Sequence, residues 1–340
     1  MIWLTWRQLR LQAATLLVAV TAVAVVLVVT GPRLARLARA GVDDVFDRLT
    51  STDISLFWAG LVVVAAVPAL VGAFWGAPMV ARELEQGTHR LVWNQSITRT
   101  RWLCTKLAVT TLAAAVAVGA LSLAVTWWSD PLDGAVSRAR GGLPQMLTPV
   151  SFAMRGVAPV AYTVFAVVLG VTLGAVLRRS LPAMAVTLAL YVAVQVAVPL
   201  WVRPHLVAPT TATVTIGAQT LDGISADDRG DPESITVHTA ESGDWILANE
   251  TLGADGRPAS LPLWMSGCLA AVPDRFTGPV RASPLNQCLE RLAEEGYTQR
   301  VVYQPARNFW PIQWAEAGLY LVASALLAGF CLWWTRSRLS

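Results

Sequence analysis

The chain has 340 residues, 55% of them hydrophobic and 14% charged, against about 25% charged residues in an average soluble domain; a bilayer accounts for this balance better than one large core. The net charge of +4 conceals a division, since residues 211–300 carry 13 Asp or Glu and 6 Arg, net −7, while the remainder carries +11. That asymmetry points to two compartments, the lack of a compact basic domain excludes nucleic acid as a partner, and Lys106, the only lysine, lies between Thr105 and Leu107, which excludes the Gly-Lys-Ser/Thr loop that cradles nucleotide phosphates.

Residues 1–12 mix Trp3, Trp6 and Leu9 with Arg7 and Arg10. Trp favours the headgroup layer and Arg extends to anionic lipid, so this stretch reads either as an interfacial helix or as the anchored end of the first span. A span needs about 20 mainly apolar residues. Six segments are predicted to cross: Ala13 to Thr30, Leu56 to Val80, Leu107 to Trp128, Val157 to Leu177, Leu181 to Val202, and Ile312 to Trp334. The first apolar run is longer than a signal-peptide core, and Arg33 and Arg36 precede the only cleavage-like triplet, so a retained span is expected. An even count puts both termini on one side. Arg and Lys in short loops favour the cytoplasm for that side, eleven residues against seven, and the acidic segment then falls outside.

Between the second and third spans, residues 81–106 form the densest polar segment of the apolar part. Gly87 and Thr88 have the chemistry to end one helix and cap the next. Leu91 and Trp93 give apolar contacts amid Arg90, Asn94 and Gln95, as in a short helix that docks on a soluble partner; the alternative is a solvated turn whose charges only satisfy the charge rule.

Within the spans charges are scarce, which argues against a proton pump built on buried carboxylates. Glu316 is the exception. Its neighbours Trp310, Pro311 and Trp314 read as an interfacial belt, and a gate or cation-recognising role is the sharper alternative. Gly72 with Gly76 and Gly170 with Gly174 permit close helix approach, either at a subunit interface or as chance pairs in small-residue spans. Pro68, Pro78 and Pro182 kink or bound helices. Tyr162, Tyr191 and Gln195 are polar contacts for cargo or for backbone.

Residues 203–311 read as a small extracellular mixed α/β insert before the last span. Thr211 to Ile216, Ile235 to Thr239 and Val301 to Tyr303 favour strands, and Leu285, Leu289 and Leu292 recur at helical spacing. Cys268 and Cys288, 20 residues apart, fall in the oxidising compartment, where a disulfide would contribute roughly 3 kcal/mol; the alternative is two free thiols. Cys104 and Cys331 are ordinary unpaired thiols. No hydrolase or zinc spacing is present, and His205 and His238 are solitary.

The chain resembles the membrane subunits of ABC exporters of the second type, the ABC-2 permeases, and in particular actinobacterial members with a large insert before the last helix. The resemblance rests on Glu85, Gly87, Thr88, Leu91, Thr98, Arg99 and Lys106 in the loop, and on Tyr303-Gln304-Pro305 followed by Phe309-Trp310-Pro311. Ser96 replaces a proline of that pattern, and His89-Arg90 replaces Leu-Glu. It covers residues 1–202 and 300–340. The resemblance implies an all-α polytopic protein of the cell membrane, in a bacterium, with six spans and cytoplasmic termini. It also implies a homodimer or a pair with a sister permease, driven by separate ABC ATPase subunits that hold the ATP and magnesium, so that this chain carries no cofactor and is not itself an enzyme. Residues 81–106 would be the coupling loop, with Glu83, Glu85, Arg90, Arg99 and Arg101 forming charge-assisted contacts to the ATPase. The exported substrate is not legible. The second reading is a membrane-anchored sensor or scaffold whose outer domain binds a ligand.

Overall fold

The computed structural model describes residues 2–40, 50–87, 98–139, 146–227, 232–239, 243–270 and 285–338. The chain forms two compact units, residues 1–206 with 309–340 and residues 207–308.

The first unit is helical. Helix α1 spans Ile2–Ala40, α2 Ser51–Glu85, α3 Arg99–Ala139, α4 Pro149–Phe152, α5 Ala158–Leu177, α6 Ser180–His205, and α9, the last, Phe309–Arg338. Five of these (α2, α3, α5, α6 and α9) are long and apolar enough to cross a membrane. In α1 the apolar stretch among the described side chains is shorter, Val18–Arg33; that helix contains the first predicted span.

Local chemistry sets the helix ends. Thr50 and Asp53 form a capping box at the start of α2, the Thr50 hydroxyl accepting from the Asp53 amide while the Asp53 carboxylate accepts from the Thr50 amide. Arg33 lies 3.4 Å from the same carboxylate, joining α1 to α2. Arg178 ends α5 in the left-handed conformation at φ 55°, and Ser180 begins α6 two residues on, so consecutive antiparallel helices meet at a tight corner.

Helix α5 is the centre of the unit, buried along most of its length and packed against α2, α3, α6 and α9. Its contact with α2 explains the small-residue pairs. A Cβ on Gly170 would lie 2.3 Å from the Gly72 carbonyl oxygen, and one on Gly174 would lie 2.3 Å from that of Ala77. On the other side, a Cβ on Gly72 would meet the Ala166 carbonyl oxygen at 2.6 Å, and one on Gly76 that of Val167 at 2.7 Å. The two glycine pairs therefore face each other inside one chain and bring main chain against main chain. Residues Gly72–Gly76 form a π turn within α2 at this contact. Helix α1 packs along α3, with Val20 and Leu27 buried against Leu121, Val125 and Trp128, and the Trp128 indole donates to Thr30 at 2.9 Å.

The second unit holds a three-stranded antiparallel sheet of order β1-β5-β4, from Thr210–Thr215, Thr298–Gln304 and Trp245–Leu252, and a β2-β3 hairpin from Leu221–Ala226 and Pro232–Val237. Helices α7, Met265–Ala270, and α8, Leu285–Glu294, complete it. The predicted leucine spacing is the buried face of α8: Leu285, Leu289 and Leu292 pack with Ile216, Ile235, Val237, Met265 and Val301. Cys268 on α7 and Cys288 on α8 are bonded, with Cα atoms 6.3 Å apart. Strands β2 and β4 were outside the predicted runs. Asp222 and Gly223 break the first, and Asn249 and Glu250 the second, so neither shows a β-branched stretch.

Candidate functional site

Both ends of the helical unit gather polar side chains that the helices hold in place. At one end, Gly87 terminates α2 at φ +71°, with the Gly87 amide donating to the Leu84 carbonyl; only glycine adopts this turn without strain. Thr98 opens α3, its hydroxyl accepting from the Arg101 amide at 3.3 Å. Thr88, Arg90 and Leu91 lie outside the described residues.

The remaining loop residues divide into two groups. Lys106 is 5% exposed and pairs with Glu83, while its ammonium sits 5.0 Å from the centre of the Trp102 ring. This pair joins the end of α2 to the start of α3. The Glu85 carboxylate accepts from the Ser180 amide at 3.2 Å and from its hydroxyl at 2.9 Å, placing a negative charge at the N-terminus of α6, where the helix dipole favours it. Arg101, by contrast, is exposed, as is Arg82, and Arg99 begins α3 half-buried. Thus both carboxylates are engaged by neighbouring helices, Glu83 half-buried and Glu85 at the surface, and Arg82 and Arg101 are exposed beside them. The same end collects the Arg178 guanidinium on the Arg338 carbonyl at 2.9 Å and Arg336 on the Thr100 hydroxyl at 3.0 Å.

At the opposite end lies a fully buried cluster. Arg203 and Glu316 are 1% and 0% exposed. The Arg203 Nε donates to Glu316 Oε2 at 2.6 Å and Nη2 to Oε1 at 2.9 Å, the fork geometry in which guanidinium and carboxylate match. The third nitrogen, Nη1, donates to the Pro149 carbonyl at 3.1 Å. The Tyr162 hydroxyl donates to Glu316, and the Phe152 ring lies 4.3 Å below the guanidinium. Four elements, α4, α5, α6 and α9, meet at this pair.

Two further polar groups extend the layer. Gln313 accepts from the Ala158 amide at 2.9 Å and donates to the Phe152 and Arg155 carbonyls, each at 3.0 Å, satisfying the exposed backbone between α4 and α5. The Tyr320 hydroxyl donates to Gln195 at 2.6 Å, which in turn donates to Tyr191 at 2.8 Å. Tyr162, Tyr191 and Gln195 therefore bond other side chains, not backbone.

Glu316, read from the sequence either as part of an interfacial belt or as a gate, is buried inside the helical unit. On α9, Trp310 and Trp314 are exposed, whereas Gln313, Glu316, Ala317 and Tyr320 are buried, so the aromatic belt and the carboxylate occupy different faces. Sequence reasoning missed Arg203, which it assigned to the insert. The available signal was Gln313, Glu316 and Tyr320, polar side chains recurring at helical period on α9 away from the two tryptophans.

A family model described as ABC-2 membrane transporter related matches residues 11–203. No curated protein and no solved structure matches the chain. The matched region includes α2 to α5 entire, α6 up to Arg203, and both partners of the Glu83 and Lys106 pair; the several apolar helices accord with a multi-pass membrane protein. The match covers more than half of the chain, and the chain belongs to the ABC-2 membrane transporter related family.

Proposed function

We propose that this chain is the permease subunit of an ABC exporter. Six helices cross the cell membrane of a bacterium with both termini in the cytoplasm, and a homodimer or a pair with a sister permease encloses the path. ATP and magnesium are held by separate ATPase subunits, and the chain itself performs no covalent chemistry. The carrying observation is the family match across residues 11–203, supported by the missing phosphate loop around Lys106.

In this reading the Gly87 end receives the ATPase. Motion delivered to residues 81–106 passes to the ends of α2 and α3, which Glu83 and Lys106 tie together, and to α6 through Glu85 and Ser180. At the opposite end Glu316 is the closure, holding α9 to α6 through Arg203 and to α5 through Tyr162. Passage outward then requires this layer to rearrange, with the apolar spans presenting the path.

The test is copurification from native membranes in mild detergent. A protein bearing a phosphate-binding loop and the ABC signature is expected to accompany the tagged chain. Recovery of the chain without any such ATPase, under conditions that preserve other ABC complexes, removes the transporter reading.

A further inference from the structure

The charges at the Gly87 end carry more than a docking position; they specify the chemistry of what docks. Between Glu85 and Asp130 the sequence has no Asp or Glu. The carboxylates of residues 81–106 are therefore Glu83 and Glu85, and both are bound within the chain, to Lys106 and to Ser180. Glu85 is exposed with its carboxylate held on Ser180, and Glu83 is half-buried on Lys106. Arg82 and Arg101 are exposed, one on the last turns of α2 and the other on the first turn of α3, so they border the polar segment from both sides. Arg90 lies within that segment by sequence. A partner meeting this end encounters guanidinium groups and no carboxylate of residues 81–106 that is not already engaged.

We propose that the ATPase surface receiving this end is acidic, and that Arg82 and Arg101 engage its Asp or Glu side chains as paired forks, while Glu83 and Glu85 serve only to hold the permease's own helices. The inference rests on the exporter reading. Arginine is suited to the task because its planar fork grips a carboxylate through two parallel hydrogen bonds, which a lysine cannot reproduce. Complementary charge of this kind also steers encounter and fixes the register of docking. An anionic lipid surface would attract the same cations, but Arg82 and Arg101 flank the polar connection itself.

The experiment uses the full chain in nanodiscs of neutral phosphatidylcholine and, separately, of phosphatidylcholine with phosphatidylglycerol. The ATPase identified by copurification is added as purified protein. Reversal of both charges, Arg82→Glu with Arg101→Glu, is expected to weaken ATPase binding by about tenfold or more in both lipids. The Arg82→Lys and Arg101→Lys pair retains binding at low salt but loses it more steeply as salt rises. Glu85→Gln keeps the ATPase. Gel filtration and the thermal midpoint of each variant report folding separately from binding. Wild-type affinity in the double reversal overturns the inference alone, as does loss by Glu85→Gln equal to that of the reversal. An effect confined to the anionic nanodisc assigns the arginines to lipid and overturns it too. Failure of the wild-type chain to bind any ATPase removes the exporter reading with it.

Discussion

The ion pair at one end of the helical unit joins four elements and leaves each guanidinium nitrogen of Arg203 with an acceptor, whereas the pair at the other end joins two helices and leaves the Glu83 side chain 16% exposed. Both pairs are made of the same chemistry. They differ in how completely the protein replaces water around them, and that decides what each is able to do. A charge removed from water is held cheaply only where every hydrogen bond is returned. The Arg203 and Glu316 layer meets that condition and holds its four elements together. The Glu83 and Lys106 pair, beside exposed Arg82 and Arg101, stays near solvent and near whatever approaches.

Breaking this layer gives the largest expected effect. Glu316→Gln leaves the Arg203 charge buried without its counter-ion, and loss of one partner from such a pair costs about 3–5 kcal/mol; a thermal-unfolding series in detergent is expected to show it as the most destabilised variant. Replacing both partners, Arg203→Met with Glu316→Leu, is expected to recover most of the midpoint while export stays impaired, which separates closure from mere stability. Equal export by wild type and Glu316→Gln would show that the closure has no part in transport. At the other end, Lys106→Met keeps the packing of the stem against Trp102 but removes the ammonium from Glu83, and the expected loss is about 2 kcal/mol. If Lys106→Met proves as costly as Glu316→Gln, the contrast between the two ends collapses. The smallest effect belongs to Thr98→Ala, which removes the hydroxyl capping α3 and is expected to cost about 1 kcal/mol, measured by the same melting curve.

The long apolar helices were legible because bilayer-length apolar runs are local properties, though α1 and α3 extend well past their predicted runs. Val157 to Leu177 was read almost to the residue, since Arg178 and Arg179 end the run and the left-handed Arg178 turns the chain there. Gly87 was legible as a helix stop for the same local reason. The buried cluster was not, because its partners are 113 residues apart in sequence with the insert between them, and no local pattern couples Arg203 to Glu316. The engagement of Glu83 and Glu85 within the chain was equally hidden: a carboxylate on a polar segment looks available until the neighbouring helix end, here Ser180, is brought beside it. The glycine pairs were visible as pairs, but whether they faced another subunit or each other depended on the path of α5.

That path has a mechanical consequence. Where Gly72 and Gly76 meet Gly170 and Gly174, the two backbones are in direct contact, so a larger side chain at any of the four positions must push α2 and α5 apart. The same stretch of α2 holds Pro68 and the π turn Gly72–Gly76, features at which helices bend. Motion entering at Gly87 therefore meets this seam before it reaches the Asp53 end, about 50 Å away along α2 at 1.5 Å per residue.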